Sequence, residues 1–240
     1  MTHVQNVHAF GELKGLCTGY GGEYNPGKQN LQVDALTTLW LNANQVMDDV
    51  IVAKAEYDIA TNNREQAFAQ LGKLSTRIFG NLKAGGASPL LLKDAQTLVN
   101  KLRGKGTKAH RPPISSQESE PVTAKRRLGG QDYASRVNHF ASLLEIVMSE
   151  PTYKPNESYL SVASLRDVLD NLRKINEAVV AAKVGLREAR RNRNTLLYVG
   201  EESLVSTAQA VKQYVKAIYG FTSQQHSEVF RIGFTKPKVR

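Results

Sequence analysis

The sequence predicts an all-α protein: an elongated antiparallel helical bundle built from two tandem repeats related by an approximate two-fold. Three observations lead there. Between Asn156 and Tyr198 the apolar residues fall at Leu165, Val168, Leu172, Ile175, Val179, Ala182, Leu186 and Ala189. Those alternating steps of three and four make a heptad-like seam along one face of a long helix. The same stretch occurs earlier at a constant offset of 129, where Leu31, Val33, Leu36, Val50, Ala53, Lys54 and Ala60 match Leu160, Val162, Leu165, Val179, Ala182, Lys183 and Ala189. Finally, nothing alternates with period two over a useful length, which argues against a sheet.

Each element has a local reason. Thr2 and Gln5 form a capping box for a first helix carrying Val4, Val7, Phe10, Leu13 and Cys17 inward, stopped by Gly19, Gly21 and Gly22. Tyr24-Asn25-Pro26-Gly27 reads as a turn. A long helix starts near Asn30 and runs its seam through Leu36, Leu39, Ala43, Val46, Val50, Ala53, Tyr57 and Ala60. Leu71, Leu74, Ile78 and Leu82 continue a helical spacing past a break permitted at Gly72, and Gly85-Gly86 ends the arm. Ser88-Pro89 opens a short helix to about Gly104, with a capping hydroxyl and then proline at the first helical position.

The second half repeats this plan. Tyr133, Val137, Phe140, Leu143, Leu144 and Val147 mark a helix ended by Glu150-Pro151, and Tyr153-Lys154-Pro155 echoes Tyr24-Asn25-Pro26. Asn156 or Ser158 is expected to cap the long helix that follows, which breaks at Val199-Gly200. Leu204, Ala208, Val211, Val215 and Ile218 mark a returning helix closed by Gly220; Ser223 caps a last helix with Val229, Phe230 and Ile232. The expected domains are therefore a repeat over 1–104, a basic Pro/Ser-containing linker over 105–131, and a second repeat over 132–240 with a basic tail of Lys236, Pro237, Lys238 and Arg240. A long helix of roughly 35 to 40 residues spans roughly 55 to 60 Å, so its seam must pack along other helices.

The 240 residues suffice for one large domain or two ordinary ones. No apolar run approaches the length of a bilayer crossing and no leader pattern opens the chain, so a cytoplasmic protein is expected. Cys17 is the single cysteine, and a lone thiol makes no internal disulfide. Its place on the first helix suits a buried structural role. The net charge of +10 is uneven: +1 over 1–104, +4 over 105–131 and +5 over 132–240. Such a balance favours anionic partners, nucleic acid or acidic protein surfaces, without choosing among them.

Polar residues shared by both halves need their own account. Arg64 and Arg193 stand where the seam would next place an apolar residue. Their methylenes can cover the core while the guanidinium serves carbonyls or a carboxylate, or the two together form a paired anion site. Asn42 and Asn171, and Asn63 and Asn192, are candidates to cap, bridge helices or fix register. Lys183, Arg187 and Arg190, with Arg191 alongside, line one stripe of the second long helix. Their first-half counterparts are Lys54, Asp58, Thr61 and Asn62, so the unit folds without that stripe. Lys125-Arg126-Arg127 adds a basic cluster within the linker. Both are either solvated surface or a track for a polyanion.

The run Arg193-Asn194-Thr195-Leu196-Leu197-Tyr198, then Leu204-Val205, Val211-Lys212-Gln213-Tyr214-Val215-Lys216, Tyr219-Gly220 and Ser223, resembles the C-terminal region of a family of uncharacterised bacterial helical-repeat proteins. The resemblance covers most of the second half, is weaker over the first and fails over the linker. It implies an all-helical duplicated fold and no activity.

Catalytic signatures do not emerge. Gly19-Tyr20-Gly21-Gly22 follows a helix rather than a strand, so it is no phosphate loop. The histidines His3, His8, His110, His139 and His226 are scattered, without the Glu-x-x-His pairs of a di-iron bundle. Glu201-Glu202 complement a helix dipole. No cofactor, no metal and no enzymatic activity are expected. The chain reads as a helical scaffold that binds protein partners, copies of itself included; nucleic-acid or other polyanion binding is the alternative.

Overall fold

The computed structural model describes residues 2–104 and 132–236. These are helical throughout, with no strand among them. In chain order the helices are α1 (His3–Gly19), α2 (Val33–Ala69), α3 (Leu71–Ala84), α4 (Pro89–Leu102), α5 (Tyr133–Ser149), α6 (Val162–Tyr198), α7 (Leu204–Tyr219) and α8 (Gln224–Arg231). The expected linker over 105–131 and the tail beyond Lys236 lie outside the described residues.

The local signals act as their chemistry requires. Thr2 and Gln5 close both bonds of the capping box on α1. The Ser88 hydroxyl accepts from the Leu91 amide and the Ser223 hydroxyl from the His226 amide. None of the eight seam residues of α6, nor of the eight of α2, is exposed.

Other details differ from expectation. The long helices do not start at Asn30 or Asn156. Each is entered through a single 3-10 turn, Gln29–Leu31 or Ser158–Leu160, and Ser161 rather than Asn156 or Ser158 caps α6, accepting from the Ser164 amide at 3.2 Å. The cause lies one layer down. The Tyr24 hydroxyl donates to the Leu31 carbonyl at 2.8 Å and the Tyr153 hydroxyl to the Leu160 carbonyl at 2.9 Å, both buried, which ties the turn to the loop before the helix can begin. The break between α2 and α3 falls at Gln70, not Gly72, whose carbonyl instead accepts from the Ser75 and Thr76 hydroxyls. Val4 and Ile218, expected inward, are exposed.

The chain forms two compact units. One holds Met1–Tyr57 and Ala182–Arg240, the other Asp58–Ala181, so the division falls inside both 37-residue helices. A compact unit is thus not one contiguous half of the chain. Each takes the first short helix and the front of the long helix from one half of the chain, and the rear of the long helix and its followers from the other. In the first unit Phe10, Leu13, Leu36 and Ala43 share a core with Leu197, Leu204, Val211 and Val229. In the second, Phe68, Ile78, Leu82 and Val99 share one with Phe140, Leu143, Leu165 and Leu172.

Polar side chains fasten each unit at equivalent places. In the second, Arg136 of α5 donates to the carbonyl of Phe68 at 3.0 Å, near the C-terminal end of α2, where helix carbonyls lack partners. In the first, Asn6 of α1 is fully buried and donates to the Tyr198 hydroxyl at the end of α6. Asn6 also exchanges two hydrogen bonds with the backbone of Thr235, 2.8 and 3.2 Å long, pinning the described end of the chain to its first helix.

Candidate functional site

The first unit carries an apolar groove of about 560 Å³ between α1 and the front of α2, a volume within the range of ligand-binding clefts. Val4, Val7 and Gly11 supply the wall from α1; Trp40, Met47 and Ile51 supply the wall from α2. Both sets recur at steps of three, four or seven, so each lies on one helix face. The lips are exposed, Val4 at 63% and Ile51 at 66%. His8, Glu12, Asn44 and Asp48 complete the lining, which puts two carboxylates beside an oily floor.

Gly11 sets the depth of this groove. A Cβ there would stand 2.7 Å from the indole nitrogen of Trp40, so only a glycine lets the ring lie against the α1 backbone. The Lys14 ammonium sits over the same ring, 4.8 Å from its centroid. The sequence left Trp40 unassigned. Its spacing from Met47 and Ile51 was the available signal.

At the N-terminal end of α1, His3 Nδ1 lies 2.7 Å from the Tyr198 hydroxyl oxygen. That oxygen accepts from Asn6, which leaves its own proton for His3. Burial, and then the neighbouring Arg193 guanidinium, hold the His3 imidazole below its usual pKa and keep it a neutral acceptor. The cluster is structural: its hydrogen bonds tie α1, α6 and Thr235 together.

The basic stripe lies as the spacing required. Lys183, Arg187, Arg190 and Arg191 are all exposed on α6. Val180 and Val184 are also exposed, at steps of four, three and four with Arg187 and Arg191. Lys125, Arg126 and Arg127 lie outside the described residues. Arg64 and Arg193 belong to different compact units. Arg64 lays its guanidinium over the Tyr133 ring at 4.1 Å and donates to the Asn176 side-chain oxygen at 3.4 Å. Arg193 donates twice to the Asn194 side-chain oxygen, at 3.1 and 2.8 Å. The partners are the side-chain carbonyl oxygens of Asn176 and Asn194 and an aromatic face, the carbonyl option of the two that the sequence offered. Asn42, Asn171, Asn63 and Asn192 are all exposed.

Cys17 is fully buried in the first core, and burial pushes its thiol up to about 11, away from nucleophilic use. Among the described residues no cluster of His, Cys, Asp and Glu could hold a metal ion, and no helix is long and apolar enough to cross a membrane. His226 is buried between two phenyl rings. Lys212 donates to the carbonyls of Phe230 and Ile232 and so caps α8. No family model matches the chain, and no curated protein or solved structure is significantly similar to it.

Proposed function

We propose that this chain is a non-enzymatic helical scaffold that docks a helix of a second copy in the groove between α1 and α2. The observation carrying this is the match between two surfaces. The groove pairs an apolar floor with Glu12 and Asp48. The exposed face of α6 pairs Val180 and Val184 with Lys183, Arg187 and Arg191. An amphipathic helix laid into such a groove buries its apolar stripe and sets its cations against the carboxylates. The sequence of α2 (Lys54 and Arg64 against Asp34, Asp48, Asp49, Glu56, Asp58 and Glu65) is net acidic, and that of α6 is net basic.

Charge exchange tests the idea in full-length protein. Glu12→Lys/Asp48→Lys and Arg187→Glu/Arg191→Glu variants each lose self-association in sedimentation, and mixing the two restores a complex. Wild type that stays monomeric at high concentration and low salt, or variants that still assemble alone, overturn the proposal. A duplicated ancestral unit, with the halves about an approximate two-fold in an antiparallel bundle, belongs to the same reading. Its support is the pair of 37-residue helices, each entered through a tyrosine-locked 3-10 turn.

Polyanion binding is the second reading, favoured by the exposure of all four cations of the stripe. Replacing Arg187, Arg190 and Arg191 by Glu then abolishes affinity for heparin while the helical signal stays. Unchanged affinity removes this reading.

A further inference from the structure

Two phenylalanines beside the last helix stand in water. Phe221, in the turn after α7, is 71% exposed, and Phe230, in the last turn of α8, is 70% exposed. Neither is needed to close the core at this end, where Val211, Val215, Val229 and Ile232 are already buried. The rings are nonetheless held. His226 is buried between them, with its centroid 5.1 Å from that of Phe221 and 5.6 Å from that of Phe230. The second pair is stacked at 29°.

Cations accompany both rings. The Lys216 ammonium lies 5.5 Å from the Phe221 centroid, and the Lys212 ammonium 5.9 Å from that of Phe230. Lys212 cannot swing away, because the carbonyls of Phe230 and Ile232 hold it. Gln209 and Gln213 of α7 share with these residues a slot of about 160 Å³. Two largely exposed rings, one ammonium held in place, a second exposed beside the other ring, and amides within reach make one chemical offer. It suits a flat π-system carrying hydrogen-bonding edges and an attached anion.

We infer that the Phe221–His226–Phe230 patch binds single-stranded nucleic acid, stacking unpaired bases on the two phenyl rings and setting the intervening phosphate against Lys216. Stacking on aromatic side chains tolerates any base, because every base has a π-face, and it requires a strand whose bases are not already stacked in a duplex. The basic stripe of α6 has no interleaved aromatics. Here, on α7 and α8 of the same compact unit, rings and cations come together. An anionic membrane would also attract exposed phenyl groups and lysines, but it has no use for the glutamine amides in the slot. The surface is separate from the groove between α1 and α2, and the inference stands whether or not the chain self-associates.

The test is fluorescence anisotropy of the full chain with labelled oligo-dT and oligo-U of about twenty nucleotides at low salt. Competitors are a duplex of equal length and phosphatidylglycerol vesicles. Phe221→Ala and Phe230→Ala each weaken single-strand binding about tenfold, and Lys216→Gln flattens its salt dependence. Phe230→Leu separates a π-face from mere oiliness, since it keeps the apolar bulk and removes the ring. It behaves like the alanine variant if bases stack there. Circular dichroism confirms that each variant keeps its helix. The inference is overturned if the double alanine variant binds as tightly as wild type, if leucine substitutes for Phe230 without loss, if duplex competes as well as single strand, or if only vesicles are bound.

Discussion

Trp40 lies so close to Gly11 that a methyl group on that glycine would meet the indole nitrogen at 2.7 Å. Gly15, one turn further along the same helix, has nothing within 4 Å of the place its Cβ would occupy. The two glycines therefore answer the same substitution with opposite signs. Gly15→Ala removes backbone freedom from the unfolded chain and stabilises by about 0.5–1 kcal/mol. Gly11→Ala gains the same term, but crowding a packed ring costs about 1–3 kcal/mol, so the net is a loss of about 1 kcal/mol. Urea unfolding of the two variants checks the sign. Fluorescence of Trp40, the single tryptophan, reports its displacement in the Gly11 variant alone.

The tyrosines that lock the 3-10 turns make a matched pair. Tyr24→Phe and Tyr153→Phe each remove one buried hydroxyl and leave the carbonyl of Leu31 or Leu160 without its donor. Each change is expected to cost about 1–2 kcal/mol. Because the two bonds are alike in length and burial, the losses should agree within about 0.5 kcal/mol. A large loss in one half with none in the other contradicts the equivalence of the two turns.

Acid weakens the fold before the carboxylates titrate. Burial holds both His3 and His139 below the ordinary imidazole value, aided by Arg193 at His3 and by Lys101 at His139. Below about pH 6.5 the unfolded chain takes up protons at these positions that the folded chain resists. Stability present above that pH is therefore lost as pH falls toward the depressed folded values. Tm should decline from about pH 7 to about pH 5.5. The His3→Asn/His139→Asn variant should show a flatter profile, since the asparagine oxygen still accepts from Tyr198 without titrating.

Cys17 should ignore thiol reagents in the folded protein. It is fully buried and its thiol is pushed up to about 11, so little thiolate is present or reachable at neutral pH. Labelling with an aromatic disulfide should track the opening of the first unit and accelerate in parallel with unfolding across a urea series. Rapid labelling without urea contradicts that packing.

The short-range features were legible from the chain alone, because their causes lie within a turn or two of sequence. The seams of α2 and α6, the capping box at Thr2, the Ser88-Pro89 start and the exposed basic stripe each follow from helix periodicity or from the demand of free backbone groups. The constant offset between the halves also paired Tyr24 with Tyr153 before their shared hydrogen bond was seen. Periodicity says which residues share a face. It does not say which neighbour that face meets, and the misread positions are of this kind.

Val4 belongs to the inner face of α1 by spacing, yet the tertiary structure leaves it on the lip of the groove. Arg136 and Asn6 look like ordinary polar positions until α5 meets the end of α2 and α1 meets the end of α6. Phe230 is placed by the sequence on the same short helix as Val229, and the packing of α8 leaves it in water while burying Val229 beside it. The sequence by itself determined the helices and their approximate lengths, because those depend on contacts a few residues apart. The tertiary structure alone decided how each compact unit is drawn from both halves of the chain, where the groove opens and which rings are exposed. Those depend on contacts up to 229 residues apart, such as Asn6 with Thr235, whose cost in chain entropy no local pattern records.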